Sequence, residues 1–321
     1  MPAFGYALSS EEHRPIDLVR NAATAEELGF DFCSISDHFH PWVEAQGHSP
    51  FVWSVLGAIA AQTERLELVT GVTCPIIRTH PVIVAHAAAT ASLLLDGRFG
   101  LGVGTGEALN EHVHGDRWPR PEIRLEMLEE AVDVIRRMWS GETIDHRGTH
   151  YEVENARLFD PPETAPPILV SGYGAKAQEL AGRIGDGFFS HGEDDSAVPA
   201  FREAGGSGPT YAQLNLCLGA DAESCRETVH RQWPNAGIGG QLSQDLPTWS
   251  HFEMASKTVR PEDAAGSMPL GQDLDAVLDK VRTFVDNGFD HVYFHQIGPD
   301  QQPFFDAWRG DLGDAVRALS R

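Results

Sequence analysis

Lysine is nearly missing from this 321-residue chain: only Lys176, Lys257 and Lys280 stand among its 24 basic residues. Acidic residues number 47, and the formal net charge is -23. A surface of that sign repels nucleic acid and anionic membranes, so neither is expected as a partner. Long apolar runs are absent too. None approaches the about 20 residues that a bilayer-spanning helix needs. No basic region precedes the first apolar run, Phe4 to Leu8, so no secretory signal is read and a soluble cytoplasmic protein is expected. The four cysteines, Cys33, Cys74, Cys217 and Cys225, are scattered, without the close spacing of a zinc knuckle or redox motif. They read as buried thiols in a reducing compartment.

Other absences narrow the chemistry. Fifteen histidines occur, including the close pairs His38/His40 and His112/His114, but no set has metal-ligand spacing, so no metal is expected. There is no Gly-x-Ser-x-Gly element, which disfavours acyl hydrolysis. The run Gly102 to Gly106 misses the dinucleotide fingerprint because its third glycine comes one residue early. Glycines there suit close backbone approach to a flat or phosphorylated ligand.

What is present begins with Ser36-Asp37-His38-Phe39-His40-Pro41-Trp42, directly after the apolar run Phe32 to Ile35. Carboxylate and imidazole together serve proton transfer near neutral pH. The indole of Trp42 adds a flat face for a planar ligand. Alone, the same segment reads more readily as a polar loop around a buried Trp. Its weight comes from the organisation of the whole chain.

Strand-like and helix-like runs alternate. Strands are expected at Phe4–Leu8, Phe32–Ile35, Leu66–Gly71, Phe99–Val103, Pro167–Ser171, Gly187–Ser190, Tyr211–Leu218 and His291–Phe294. Helices are expected at Ile16–Leu28, Pro50–Thr63, Pro81–Leu95, Arg124–Trp139, Ala175–Ile184 and Leu274–Asn287. Eight strands alternating with helices imply an α/β fold, a closed parallel (β/α)8 TIM barrel spanning residues 1–321 as one domain. An open doubly wound sheet is the competing architecture. Two stretches break the rhythm. Residues 144–158 resemble a hairpin, and residues 234–269, rich in Gly, Pro and polar residues, read as an insertion over the C-terminal mouth.

Chemistry in such a barrel sits at the C-terminal ends of the strands. Polar clusters follow five consecutive strands here: Asp37-His38, then Thr70-Gly71-Val72-Thr73-Cys74, then Gly102 to His112, then Ser171-Gly172-Tyr173-Gly174, then Ser190-His191-Gly192. The fourth cluster opens a helix and could seat a phosphate on backbone N–H groups, or be a tight strand-to-helix turn.

The segments Ser36 to Trp42, Gly102 to Glu111 and Ala181 to Gly187 resemble the luciferase-like flavin and deazaflavin oxidoreductases, near the branch containing coenzyme F420-dependent glucose-6-phosphate dehydrogenase. The resemblance covers nearly the whole chain. It implies a TIM barrel, usually a homodimer, with F420 in the mouth and hydride transfer between the deazaflavin and a small organic substrate. On this resemblance His38 and Glu107 are the proton-transfer groups and Trp42 stacks near the reacting centre. Asp37, Cys74, Gly104, Gly106, Asn110 and His191 border the cofactor, Gly71-Val72 carries a non-proline cis peptide behind the ring, and Ser171, Gly172, Tyr173 and Gly174 seat the phosphate of the tail.

The chain departs from that branch after strand six. The glucose-6-phosphate enzymes place a Lys there, whereas this chain reads Glu193-Asp194-Asp195. Three acids would repel a dianionic phosphate. Lys257 and Arg260 in the insertion do not match the expected register. Phosphosugars are therefore expected to be poor substrates, and a neutral alcohol, carbonyl or activated double bond to be preferred. Two alternatives stay open: an FMN-dependent luciferase-like monooxygenase, and a non-catalytic deazaflavin-binding barrel.

Overall fold

Eight parallel strands close on themselves in the computed structural model, which describes residues 2–319. They are β1 Ala3–Leu8, β2 Phe32–Ile35, β3 Glu67–Thr70, β4 Phe99–Val103, β5 Ile168–Ser171, β6 Gly187–Ser190, β7 Thr210–Leu218 and β8 His291–Gln296. Each pairs with the next in sequence, and β8 returns to β1 through Gly5 opposite Tyr293. Closure excludes the open-sheet alternative. Met1, Ser320 and Arg321 of the expected domain lie outside the described residues.

Side-chain alternation explains the apolar runs. On β1, Phe4, Tyr6 and Leu8 face the surrounding helices, while Ala7 faces the lumen. The lumen is filled by Phe32, Val69, Leu169, Phe189, Tyr211 and Tyr293, with Phe189 stacked on Tyr211 at 4.7 Å. This plug is the floor on which the mouth stands.

The hairpin pairs Ile144–Arg147 with Glu152–Ala156. The insertion is more helical than its composition suggests. It holds a 3₁₀ turn at Pro234–Gly237 and helices at Gln241–Asp245, Trp249–Ser256 and Pro261–Ala265. Pro234 and Pro261 sit in the first turn, where proline starts a helix instead of breaking one. Ile238 and Phe252 of this insertion pack on Val43 and Leu109, with Trp42 against them. After β8 the chain adds helices Gln302–Ala307 and Gly313–Ala318, which the sequence reading did not assign. Phe304 and Trp308 there pack on Phe30 and Phe294, the Phe30–Trp308 rings 4.1 Å apart. Among the described residues no helix is long and apolar enough to cross a membrane.

Candidate active site

A cavity of about 850 Å³ opens at the C-terminal ends of the strands. Every candidate residue lines it: Asp37, His38 and Trp42 after β2; Gly71, Val72 and Cys74 after β3; Gly104, Gly106, Glu107 and Asn110 after β4; Ser171 to Gly174 after β5; His191 after β6. The same cavity also takes in Ser9, Glu11, Gln213, His295 and Arg124, which the sequence reading passed over.

Asn110 organises the wall between His38 and Glu107. Its Oδ1 accepts the backbone N–H groups of Phe39 (2.9 Å) and His40 (3.1 Å), which fixes the amide so that Nδ2 is the donor. That Nδ2 donates to His38 Nδ1 at 3.1 Å and reaches Glu107 Oε2 at 3.4 Å. The His40 carbonyl, 3.3 Å from the same ring nitrogen, favours the opposite tautomer. The closer amide decides for a proton on Nε2, and an acceptor waits there: Glu11 Oε1 at 3.4 Å. Glu11 is buried, and its other oxygen accepts from Ser36 Oγ (2.6 Å) and Ser9 Oγ (3.1 Å). His38 is thus held between a buried carboxylate and an amide that also touches Glu107. Trp42 lies over this group, its ring 5.0 Å from that of His38 and edge-on to Phe252.

Asp37 has a different setting from its neighbour. Its Oδ1 accepts from Arg78 Nη2 and its Oδ2 from Thr73 Oγ1, both at 2.9 Å. Arg78 also donates its backbone N–H to Glu111 at 2.8 Å. Burial opposes the Arg78 charge, yet Asp37 and Glu111 hold its pKa above the ordinary guanidinium value. Burial pushes the Glu111 carboxyl above its usual range, outweighing Arg78. Asp37 borders the cavity with both oxygens already engaged by the protein.

The opposite wall is built from small residues. The Gly71–Val72 peptide is cis, at the end of β3. Gly172 lies under the helix Ala175–Ile184, and a Cβ there would come within 2.7 Å of the Ala177 carbonyl carbon. At Gly174, the cap of that helix, a Cβ would meet nothing within 4 Å, so the space beside it is open. Tyr173 and His191 face each other at the rim, with ring centres 4.2 Å apart.

The acids after β6, expected to repel a phosphate at the mouth, are turned away from it. Glu193, Asp194 and Asp195 do not line the cavity. Glu193 is turned to Lys280 and Ser267, and Asp194 accepts from Ser196 and Gln178. Lys257 and Arg260 are absent from the lining as well, and Arg260 pairs with Asp263 at 2.8 Å. The lysine and arginine that do line it have partners, although the buried Nε of Arg124 has none among the described residues. Arg124 donates to the Pro119 carbonyl (2.8 Å) and Gln244 (2.7 Å) and covers Trp118, and Lys176 pairs with Glu122 at 3.3 Å.

Residues 2–291 match the luciferase-like monooxygenase family. The chain is 34% identical to an F420-dependent glucose-6-phosphate dehydrogenase of Nocardia farcinica, over 98% of each chain. It is equally similar, 34% over 98% of each, to the enzyme of that name from Mycolicibacterium gilvum. Among solved structures, an F420-dependent secondary alcohol dehydrogenase in complex with an F420-acetone adduct superposes with a TM-score of 0.90, at 28% identity over 98% of this chain and 99% of that one. The coenzyme F420-dependent tetrahydromethanopterin reductase of Methanopyrus kandleri shares the fold, with a TM-score of 0.78 at 20% identity over 98% and 99%. With the sequence match spanning nearly its full length, the chain belongs to the luciferase-like monooxygenase family.

Proposed function

We propose that the protein is a coenzyme F420-dependent oxidoreductase that acts on a small neutral alcohol or carbonyl compound. One observation carries this reading: Glu11, His38, Asn110 and Glu107 form a hydrogen-bonded chain along one wall of a cavity whose other wall is lined by small residues. The cofactor fits that second wall. Gly71, Val72, Gly104 and Ser171 would hold the planar ring, with Cys74 and Gly106 at its border. Gly172 to Gly174 and the N–H groups of the helix they open would hold the phosphate of the tail, in the open space beside Gly174. When bound, F420 supplies the carbon that takes up or returns a hydride.

The protein's own part is proton handling. The 3.4 Å separation between His38 Nε2 and Glu11 leaves room for a substrate oxygen to share that nitrogen. With its proton on Nε2, His38 donates a hydrogen bond to the substrate oxygen while Glu11, which lines the same cavity, accepts the hydroxyl proton, and the reverse sequence returns that proton from Glu11 to a carbonyl oxygen. Asn110 keeps the ring in register through both. Glu107 is placed to exchange a proton on the cofactor side, and Trp42 excludes water above His38.

A neutral substrate is favoured by charge. Glu11 and Glu107 flank His38, while the lining cations Arg124 and Lys176 already hold Gln244 and Glu122 and leave the buried Arg124 Nε unpartnered among the described residues, so the balance of charge beside His38 disfavours a dianionic phosphate. The test is a spectroscopic titration of the protein with F420 and with FMN, followed by turnover on secondary alcohols, ketones and glucose-6-phosphate. F420 reduction by an alcohol supports the reading. Tight binding of FMN with oxygen consumption, or faster oxidation of glucose-6-phosphate than of any neutral alcohol, overturns it.

We also propose that two copies associate. The neighbouring helices Val52–Ala60 and Pro81–Leu94 contain no charged residue, and Ile83, Leu93 and Leu94, with Phe51 just before the first, are exposed. Copies carrying -23 each repel unless they meet through such an uncharged face. Ile83→Glu with Leu94→Asp should convert a dimer to a monomer by sedimentation. A wild-type monomer overturns this. The four free, buried thiols suit a reducing cytoplasm.

A further inference from the structure

We propose that Gln213 is a specificity-determining residue whose side-chain carbonyl accepts a hydrogen bond from a second hydroxyl of the substrate, so that the preferred substrates are neutral diols or polyols. This deepens the oxidoreductase reading above and rests on it for the reaction, though not for binding.

Glu12 follows Glu11 directly in the chain. The two adjacent carboxylates serve two different imidazoles. Glu11 faces His38, while Glu12 Oε2 lies 2.7 Å from His295 Nε2. Glu12 and His295 are both buried, and Glu12 Oε1 accepts the Gly298 N–H at 2.7 Å. Burial works against the Glu12 charge, but the His295 contacts outweigh it and hold the carboxyl below its ordinary value. His295 Nδ1 in turn lies 3.1 Å from Asn215 Oδ1.

Gln213 completes this cluster from β7. Its Nε2 donates to Asn215 Oδ1 at 2.6 Å and lies 3.2 Å from His295 Nδ1. The amide is therefore oriented by its nitrogen. Its Oε1 takes no hydrogen bond from the described residues, although Gln213 lines the same cavity as His38. An amide oxygen can only accept, so its complement is a hydroxyl or N–H donor. Its neighbours on this side are His295 and, edge-on to that ring at 5.0 Å, Trp233, and the alcohol substrate of the reading above supplies an uncharged hydroxyl donor. A site built around an acceptor discriminates against analogues that lack the donor.

The test compares propan-2-ol with propane-1,2-diol in wild type, Gln213→Leu and Gln213→Glu. Binding is read from tryptophan fluorescence, since Trp42 and Trp233 line the cavity, and turnover from F420 reduction. Wild type should prefer the diol, and Gln213→Leu should lower the diol-to-monoalcohol ratio about tenfold, in KM more than in kcat. Gln213→Glu, which keeps an acceptor oxygen, should retain the preference. A wild type with no diol preference, or a ratio unchanged in Gln213→Leu, overturns the proposal. Diol binding that is lost in Gln213→Leu, without F420 reduction by either alcohol, supports the Gln213 site and overturns the dehydrogenase reading instead.

Discussion

Replacing Asn110 with Asp changes the hydrogen-bonding character of one atom and leaves the shape intact. Oδ1 still accepts from the Phe39 and His40 N–H groups. The second oxygen now faces His38 Nδ1 and Glu107 Oε2, where a donor stood at 3.1 and 3.4 Å. To satisfy it, His38 must carry a proton on Nδ1, which either leaves Nε2 bare against the Glu11 carboxylate or makes the ring an imidazolium locked between two carboxylates. Two carboxylates as close as 107 and 110 repel by roughly 1 kcal/mol in a water-like medium and roughly 5 kcal/mol at an effective dielectric of 20. Loss of a hydrogen bond to a charged partner adds about 1.5–3 kcal/mol. With saturating cofactor, kcat for reduction of a small ketone should therefore fall about 100-fold, within the range for losing general acid–base assistance. The assay follows the F420 absorbance, with a thermal melt as the control for folding. A variant whose kcat stays within threefold of wild type would show that the imidazole tautomer does not matter and would remove Asn110 from the mechanism.

Three further predictions concern the frame around that wall. Gly174→Ala should leave the melting temperature unchanged, because its Cβ meets nothing, yet weaken F420 binding at least tenfold by fluorescence titration. An unchanged affinity would exclude the seat beside the helix start. Arg78→Leu strands Asp37 and Glu111 without their buried cation, so urea unfolding should report a loss of about 3–5 kcal/mol, and a loss under 1 kcal/mol would refute the role of the ion cluster. Glu130 accepts N–H groups of Thr149, His150 and Tyr151 and pairs with His146; burial opposes its charge, but these contacts hold its pKa below the ordinary value. Its contribution is then complete above the unfolded carboxylate value of about 4.3 and is lost as pH falls through the lower folded value. Glu130→Gln should flatten the fall of melting temperature below that pH, and parallel acid curves for the two proteins would contradict this.

The barrel was legible because each strand is a short apolar run followed at once by polar residues, and that rule located the walls after β2 to β6. The same rule applied to β1 would have found Ser9-Ser10-Glu11-Glu12-His13, five polar residues that are all buried. They were overlooked because consecutive carboxylates normally mark a solvated loop. Gln213 and His295 were hidden differently. Both lie inside strands, where a polar residue on the lumen side of an otherwise apolar run is visible only once the inward register is known. The acidic triplet after β6 misled for a similar reason: sequence places Glu193 near the mouth but does not show that Lys280 draws it away. The insertion is visible in the sequence but its helices are not, because prolines that open short helices look like breaks when neighbours are unknown.

The two adjacent glutamates behind β1 act as a ruler. Because one supports the imidazole after β2 and the next supports the imidazole of β8, adding or deleting a single residue between Ser9 and His13 would unseat both at once. Loop exchange among barrels of this kind can vary the insertion over the mouth where Phe252 and Ile238 keep their packing on Trp42 and Leu109, while this five-residue stretch tolerates no change in length. A designer seeking new substrates should leave its spacing untouched and work on the rim facing it.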